Sequence, residues 1–364
     1  MNERVTREED LTDDGLLLDG SPEDGDEDGF APQYEHFRYV ADRKQSMLRI
    51  DKFLTDRMMN ISRNRIQLAA EAHCILVNGA PVKSNYRIKP LDTVSIVMSR
   101  PRCEVDILPE NIPLDIVYED GDLLVVNKPA GLVVHPGHGN YTGTLVNALA
   151  WHLREDPQFD PADPAVGLVH RIDKDTSGLL VVAKRPEAKS GLGLQFFRRT
   201  TRRHYMALVW GIPGDDSGRI EGNIGRNPHD RLQMTVFPDG EQGKPAVTHY
   251  RIRQRLGYVT LVECRLETGR THQIRAHMRH IGHPVFNDAR YGGDRILKGQ
   301  PFSAYRQFVR RCFEACPRQA LHAQTLGFVH PATGRELFFD SELPADMQQL
   351  IDKWNQYVIN SRES

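Results

Sequence analysis

The sequence has few cysteines and no long hydrophobic run. Its 364 residues include five cysteines, none in a Cys-x-x-Cys pair: Cys74, Cys103, Cys264, Cys312 and Cys316. Such a sparse and odd set predicts neither a disulfide framework nor a zinc knuckle. No uninterrupted apolar run approaches the roughly 18 residues that span a bilayer. The first residues also lack the apolar stretch of a signal peptide, so we expect a cytoplasmic protein with no membrane partner.

Charge is unevenly distributed along the chain. The sequence contains 47 Lys and Arg residues and 49 Asp and Glu residues, a formal net charge of -2. The first 30 residues hold 12 acidic and two basic residues, which leaves 45 basic and 37 acidic residues in 31–364. The body therefore carries a net charge of +8. This excess favours a polyanionic partner, although a solvated surface with a modest excess of basic residues is the simpler alternative.

Two regions precede the main body of the chain. Residues 1–45 are acidic and lack apolar periodicity, which predicts a disordered tail. Residues 46–98 predict two short helices followed by a hairpin, because Asn78-Gly79 separates two β-forming runs. This small helix-hairpin unit has four acidic residues against eight basic ones: Arg49, Lys52, Arg57, Arg63, Arg65, Lys83, Arg87 and Lys89.

Residues 103–358 have a different pattern of hydrophobic and polar residues. Short β-like runs alternate with Gly, Pro and polar loops, and helical patterns lie between them, including one at 302–317 whose role the sequence leaves open. There is no repeat and no βαβαβ alternation. These features predict an α+β catalytic unit, with a mixed, mainly antiparallel sheet flanked by helices.

The most informative segment is residues 167–184, which read Gly-Leu-Val-His-Arg-Ile-Asp-Lys-Asp-Thr-Ser-Gly-Leu-Leu-Val-Val-Ala-Lys. A polar loop between two β-like runs is a place where a rigid scaffold holds side chains toward a cleft. Ordinary turns need only Gly, Asn or Ser, so a histidine, an arginine and two carboxylates indicate a functional site. We interpret Asp175, Thr176 and Ser177 as turn residues that bond local backbone groups.

These motifs resemble the RluA-type pseudouridine synthases. His-Arg-Ile-Asp followed by Asp-Thr-Ser-Gly-Leu-Leu-Val-Val-Ala-Lys is similar to the signature of that family, and residues 46–98 resemble an S4 RNA-binding domain. Further family-like segments lie on both sides of this signature, in order along the chain, at 118–120, 124–131, 135–136, 205–211, 268–277 and 321–323. The resemblance implies a pseudouridine-synthase-like fold that isomerises uridine in RNA. The S4-like domain favours the ribosomal large-subunit branch, with 23S rRNA or a pre-ribosomal particle as partner.

The resemblance also implies roles for four residues. Asp173 takes the position of the essential nucleophile and Arg275 that of its ion-pair partner. Tyr205 takes the position of the tyrosine that faces the uracil and accepts the C5 proton, directly or through water. Arg171 takes the position that fills the stack vacated by the target nucleotide. A buried carboxylate needs a cation to stay ionised, which agrees with the pairing of Asp173 and Arg275. Whether the carboxylate attacks the sugar or ring, or removes a sugar proton, is left open.

Several other residues are predicted to contact RNA. Arg63 and Arg65 stand at a predicted helix start, where guanidinium groups and backbone N–H groups both favour phosphate. The further candidates are polar or basic residues near the family-like motifs or in the small unit: His170, Arg203, Arg270, Gln273 and Lys83. We expect a monomer with no metal and no cofactor.

Other functional classes fit the sequence less well. A serine hydrolase lacks a Gly-x-Ser-x-Gly elbow, and a metal enzyme based on His135, His138 and His170 lacks typical ligand spacing. An RNA-binding assembly factor without catalysis predicts damage at Asp173, Tyr205 or Arg275, and all three are intact. A transfer RNA substrate is the remaining alternative, since base-flipping enzymes read loop shape rather than a short motif.

Overall fold

The computed structural model describes residues 34–43, 45–57, 63–71, 73–98, 107–136, 140–157, 159, 166–230, 232–300 and 302–363. The chain divides into two compact units, residues 1–106 and 107–364. Within the described ranges, no helix combines the length and apolar character needed to cross a membrane.

The first unit combines two helices with a four-stranded antiparallel sheet in the order β1-β4-β2-β3. Its elements are β1 (Tyr34–Val40), α1 (Ile50–Thr55), α2 (Arg63–Glu71), β2 (Ile75–Val77), β3 (Ala80–Pro81) and β4 (Thr93–Met98). Asn78 and Gly79 form the predicted turn, and both have positive φ, as a tight hairpin of this twist requires. Ile50, Phe53 and Leu54 of α1 and Ile66, Ala69 and Ala70 of α2 are buried in one core with Val77 and Val94.

The predicted extent of the disordered tail is wrong at its end. Residues 34–40 fall within the predicted tail, but they form β1 and pair with β4. The reason is an alternation that the acidic composition obscures, since Phe37 and Tyr39 both pack against the core of this unit. The rest of the predicted tail up to residue 33 lies outside the described residues.

The second unit is built on one ten-stranded sheet. Its strands are β5 (Ile116–Glu119), β6 (Leu123–Lys128), β7 (Ser177–Ala183), β8 (Arg202–Trp210), β9 (Ser217–Arg226), β10 (Met234–Phe237), β11 (Lys244–Leu256), β12 (Val259–Leu266), β13 (Leu321–Val329) and β14 (Glu336–Asp340). Its helices are α3 (Leu145–Leu153), α4 (Pro186–Phe197), α5 (Gln273–His280), α6 (Ser303–Ala315) and α7 (Ala345–Glu363).

The strand order is β10-β9-β11-β12-β8-β13-β7-β6-β5, with β14 beside β13. Only the β13–β7 pair is parallel among these pairings. The predicted mixed, mainly antiparallel α+β fold is therefore confirmed. This order brings β7 and β8 to either side of β13, and these two strands carry the predicted site motifs.

Helices α6 and α7 cover one region of the sheet. Tyr305, Val309 and Cys312 of α6 are buried in a core cluster with Trp210 of β8 and Trp354 of α7. The helix predicted at 302–317 is thus present, and its apolar face has a packing role.

Candidate active site

Asp173 lies in a turn immediately before β7. The turn closes through a hydrogen bond from the Thr176 N–H to the Asp173 carbonyl at 3.1 Å. The fully buried Lys128 Nζ donates to the Lys174 carbonyl at 2.8 Å, and Arg318 Nη1 donates to the Asp175 carbonyl at 3.0 Å. A lysine and an arginine side chain from distant parts of the chain therefore fix the backbone around Asp173.

Arg275 joins Asp173 to a second carboxylate. Its Nη1 donates to Asp173 Oδ2 at 2.9 Å, while its Nε and Nη2 donate to the two oxygens of Asp288 at 2.6 and 2.9 Å. The Arg275 side chain is 7% exposed, the Asp288 side chain 0% and the Asp173 side chain 18%. Only the carboxylate of Asp173 is therefore open toward solvent, and its orientation is set by a guanidinium that Asp288 holds in place.

Asp173 is ionised in this environment. Burial alone raises the pKa of a carboxyl group, but the charges of His272 and Arg275, the hydrogen bond from Arg275 and the charge of Arg171 outweigh it. The pKa of Asp173 is lowered to about 2. Burial lowers the pKa of His272, so its contribution falls away at neutral pH, where Arg275 and Arg171 supply the positive charge beside Asp173.

His272 and Tyr291 line the site beside the ion pair of Asp173 and Arg275. The Tyr291 oxygen accepts a hydrogen bond from the Met234 N–H, and it lies 2.9 Å from His272 Nδ1. A neutral His272 that accepts from the Tyr291 hydroxyl through Nδ1 carries its proton on Nε2, which lies 4.0 Å from Asp173 Oδ2. The Tyr291 ring also lies under the Arg275 guanidinium, 4.9 Å from centroid to Cζ.

Tyr205 is a buried residue of β8, only 6% exposed. Burial raises its pKa, and the negative charge of Asp173 adds to this, while Arg203 acts in the opposite direction. Arg203 is itself buried and lies over the Phe196 ring, 5.1 Å from Cζ to centroid. Arg203 is therefore a neighbour of Tyr205 rather than a surface cation, and the RNA contact predicted for it is not supported by its position.

Two other residues predicted to contact RNA, His170 and Gln273, have hydrogen bonds inside the protein. His170 Nε2 accepts a hydrogen bond from the Val181 N–H at 3.1 Å, its ring stacks on Phe196, and burial lowers its pKa to about 3. The buried Gln273 donates to the Val247 carbonyl and to the Thr248 hydroxyl, and its Oε1 accepts from the Thr268 hydroxyl and the Arg270 N–H. The polar atoms of the Gln273 side chain are thus bonded within the protein, whereas His170 Nδ1 has no hydrogen-bond partner among the described residues.

The remaining predicted RNA contacts differ in position. Arg270 is partly exposed and donates through Nε to the Pro245 carbonyl at 3.2 Å. In the first unit Arg63 and Lys83 are exposed. Arg65 lies in α2, but its side chain is outside the described residues. Arg171, which is partly exposed, contributes positive charge at Asp173.

Sequence reasoning missed three structural partners of the site: Asp288, Lys128 and Arg318. Asp288 caps a short 3-10 turn, Ala289–Tyr291, by accepting from the Tyr291 N–H. One physical signal pointed toward such a residue, because a buried arginine opposite a catalytic carboxylate needs further acceptors. No motif spacing identified which carboxylate supplies them.

Among the described residues, one group has metal-ligand atoms close together, namely Asp120, Asp122 and His330. Hydrogen bonds within the protein account for the closeness of these atoms. The backbone N–H groups of Ala332 and Thr333 donate to His330 Nδ1, which leaves the Nε2 proton to donate to Asp120 at 2.9 Å. We propose no metal site there.

The partly open ion pair of Asp173 and Arg275 lies near a buried tyrosine on a mixed sheet, and comparisons with known proteins identify the family to which this site belongs. A family model described as RNA pseudouridylate synthase matches residues 122–280, and an S4 domain model matches residues 48–94. An uncharacterized RNA pseudouridine synthase of Chlorobaculum parvum is 47% identical over 311 residues, covering 85% of this chain and 94% of that protein.

Another relative is the ribosomal large subunit pseudouridine synthase D of Zymomonas mobilis. It is 44% identical over 307 residues, covering 83% of this chain and 92% of that protein. The human RNA pseudouridylate synthase domain containing 4 shares the fold, with a TM-score of 0.50 and 24% identity over 66% of this chain and 92% of that chain. The chain belongs to the RNA pseudouridine synthase family and carries an S4 domain, which confirms the resemblance found in the sequence.

Proposed function

We propose that this protein isomerises uridines of 23S large-subunit rRNA to pseudouridine, with Asp173 as the nucleophile. The observation that carries the proposal is the partly open Asp173 carboxylate bonded to a buried arginine that a second carboxylate fixes. The substrate class is supported by relatives named as ribosomal large subunit pseudouridine synthase D and by the S4 domain.

The proposed reaction breaks the bond between N1 of uracil and C1′ of ribose, rotates the base and joins C5 to C1′. An ionised carboxylate begins it in either of two ways, by attack on the sugar or ring or by removal of a sugar proton. In each case the group must be unprotonated at neutral pH while it is largely shielded from water. The low pKa of Asp173 supports this role.

Tyr205 is proposed to face the uracil ring. After C5 has bonded to C1′, the proton on C5 must leave for the ring to become aromatic again. Because burial raises the pKa of Tyr205, its hydroxyl stays protonated at neutral pH and is a poor direct base. We therefore propose that a water molecule, held by the Tyr205 oxygen, removes this proton.

The target nucleotide is proposed to leave its stack to reach Asp173. Base flipping costs a few kcal/mol of lost stacking, and a planar cation that occupies the vacated space recovers part of it. Arg171 is the proposed occupant, because it lies two residues from Asp173 and is partly exposed. Arg270 is proposed as an RNA contact near the same loop.

Residues 46–98 are proposed to bind the RNA backbone, with 103–358 as the catalytic domain. The exposed side chains of Arg63 and Lys83 support this, and Arg65 stands in the same first turn of α2 as Arg63. Phosphate contacts by such residues give affinity without reading sequence. A monomeric, cytoplasmic enzyme that acts on rRNA or a pre-ribosomal particle completes the proposal.

The test is a comparison of Asp173→Asn with the neighbouring Asp175→Asn. Purified proteins are incubated with a 23S rRNA transcript, and pseudouridine is mapped while RNA affinity is measured separately. We expect Asp173→Asn to bind RNA with wild-type affinity and to form no pseudouridine, because its side chain has no negative charge. Asp175→Asn is expected to remain active.

Turnover by Asp173→Asn would refute the nucleophile assignment. Absence of pseudouridine in the wild-type reaction, with activity on transfer RNA instead, would refute the substrate class and leave the nucleophile assignment standing.

A further inference from the structure

The first unit contains a fully buried carboxylate that holds two exposed guanidinium groups. Asp51 is 0% exposed and accepts hydrogen bonds from Arg49 Nε and Nη2 at 3.2 and 2.9 Å and from Arg63 Nε at 3.0 Å. The Lys52 N–H and the Gln67 amide also donate to it. The Arg49 and Arg63 side chains remain 44% and 55% exposed.

The geometry orients both arginines in the same way. Each turns its Nε and Nη2 edge toward Asp51, and no Nη1 bond of either side chain occurs among the described contacts. A guanidinium has donors on two edges, so the Nη1 side of each remains for an acceptor from outside the protein. The buried carboxylate therefore fixes two planar donor groups whose outer edges face solvent.

A third arginine lies beside the first. Arg49 and Arg87 face each other in an antiparallel bridge, and the flanking bonds are Ile50 N–H to Tyr86 O and Ile88 N–H to Leu48 O. Directly opposed residues project their side chains to the same face, about 5 Å apart at Cβ, where like charges are destabilising. Arg87 is exposed. Three arginines against one buried carboxylate leave this surface positive, and a bound anion relieves the repulsion.

We infer that Arg49, Arg63 and Arg87 form a phosphate-binding site for the RNA backbone, and that Asp51 is its positioning residue. The inference rests on the proposed function, since it takes RNA as the source of the phosphate. Guanidinium forks match phosphate oxygens in pairs, which a lysine cannot reproduce. Fixing two forks before binding lowers the conformational entropy lost when the RNA docks.

The direction in which RNA affinity changes when the Asp51 charge is removed distinguishes a positioning role from simple electrostatics. Asp51 is ionised, because the hydrogen bonds from Arg49 and Arg63 outweigh burial and lower its pKa to about 2. Removing this negative charge next to a polyanion site would tighten RNA binding if only Coulomb forces mattered. A positioning role predicts the opposite, because the two arginines lose their common anchor.

The experiment compares Asp51→Asn with Asp92→Asn in the full-length chain. Asp92 is also a buried carboxylate of this unit, 6% exposed, and its described bonds come from Asn78, Tyr86 and the Lys89 N–H, with no arginine among them. Affinity for a 23S rRNA transcript is measured across a salt series. We expect Asp51→Asn to bind about tenfold more weakly, the effect of removing one charge-assisted hydrogen bond, and Asp92→Asn to bind as the wild type does.

A double-mutant cycle tests the coupling directly. If Asp51 acts through Arg63, the Arg63→Ala substitution weakens binding less in the Asp51→Asn background than in the wild type. Additive losses, equal losses in Asp51→Asn and Asp92→Asn, or tighter binding by Asp51→Asn would each overturn the inference.

A second variant covers the case in which Asp51→Asn does not fold. The double substitution Arg49→Lys and Arg63→Lys keeps both charges but removes the paired forks, and we expect about tenfold weaker binding. Unchanged affinity would overturn the inference. Pseudouridine formation by the wild type is measured on the same transcript, so that its absence counts against the proposed function and not against this site.

Discussion

Arg275 is shared between two carboxylates that have different surroundings. Asp288 is completely buried and takes two of its bonds, while the partly exposed Asp173 takes the third. Because Asp288 holds the guanidinium, its remaining N–H group points in a fixed direction. The hydrogen bond from this group therefore fixes the orientation of the Asp173 carboxylate. Asp288 is therefore a positioning residue for Asp173 that acts through Arg275.

Asp288→Asn tests this chain of contacts. The amide keeps the shape of the side chain but replaces a charge-assisted acceptor pair with one acceptor and one donor. We expect pseudouridine formation at saturating RNA to fall about tenfold, which corresponds to the loss of about 1.5 kcal/mol from one charged hydrogen bond. RNA affinity should be unchanged. Asp352→Asn on the exposed surface of α7 is the control, and equal activity in the two variants would contradict the role.

Asp173 also makes stability depend on pH. Its pKa is lowered from 3.8 to about 2, so the folded state binds the proton less tightly than the unfolded state does. This contribution, about 2 kcal/mol, is fully present above pH 4 and is lost as the pH falls through about 2. The wild type should lose more unfolding free energy over that interval than Asp173→Asn, as measured by urea denaturation at each pH. Identical acid profiles would show that Asp173 is not held as an ion pair.

The turn before β7 is fixed by the strands around it. β7 pairs in parallel with β13 through Ser177 and His322, and the Ser177 hydroxyl lies 2.9 Å from His322 Nδ1. Gly178 has a φ of +117°, and a Cβ at this position would lie 2.2 Å from the Ala323 carbonyl oxygen. Only glycine permits this close approach of β7 to β13, which sets the position of the turn that carries Asp173.

Gly178→Ala is expected to destabilise the protein by at least about 2 kcal/mol, because the two strands must separate to admit the methyl group. Gly193→Ala provides a matched control. Gly193 lies in the middle of α4, and no atom lies within 4 Å of the Cβ that alanine would add. We expect this control to be stabilised by about 0.5 to 1 kcal/mol. Urea denaturation distinguishes the two, and equal stability would contradict the close-packing argument.

Local sequence signals predict elements whose cause is local. The Asn78-Gly79 turn, the buried run of β7 and the helix α6 all follow from residue types that favour one backbone conformation over a few positions. The pairing of β7 with β13 joins residues more than 140 positions apart, and no periodicity encodes it. Strand β1 is not predicted because its three aromatic residues, Tyr34, Phe37 and Tyr39, stand at the end of an acidic segment.

The same distinction holds for the site. Asp173, Tyr205 and Arg275 are recognisable because they belong to family-like motifs, and a simple charge argument pairs the first with the third. Asp288 has no such motif. The RNA contacts predicted for His170 and Gln273 stay predictions, since polar residues inside a functional motif suggest ligand contacts while the hydrogen bonds of these two side chains are internal.

At the scale of the whole molecule, each of the two units has its own hydrophobic core. Phe53, Ile66 and Val94 belong to the core of the first unit, while Trp210 and Trp354 belong to that of the second. Units with separate cores are able to fold as independent domains. The proposed chemistry lies in the second unit and the proposed backbone contacts of Arg63 and Lys83 lie in the first, so affinity and catalysis are separable.

Removal of the first unit tests this separation. We expect a chain of residues 107–364 to form pseudouridine in a 23S rRNA transcript at high protein concentration, because Asp173, Tyr205 and Arg275 are all retained. Its RNA affinity should fall, and the slope of log K against log salt should become shallower by about one for each phosphate that the protein no longer binds, since fewer counterions are released. A chain of residues 34–364 keeps both units and is the control. An unchanged salt slope in the shorter chain would mean that the second unit alone holds the RNA backbone.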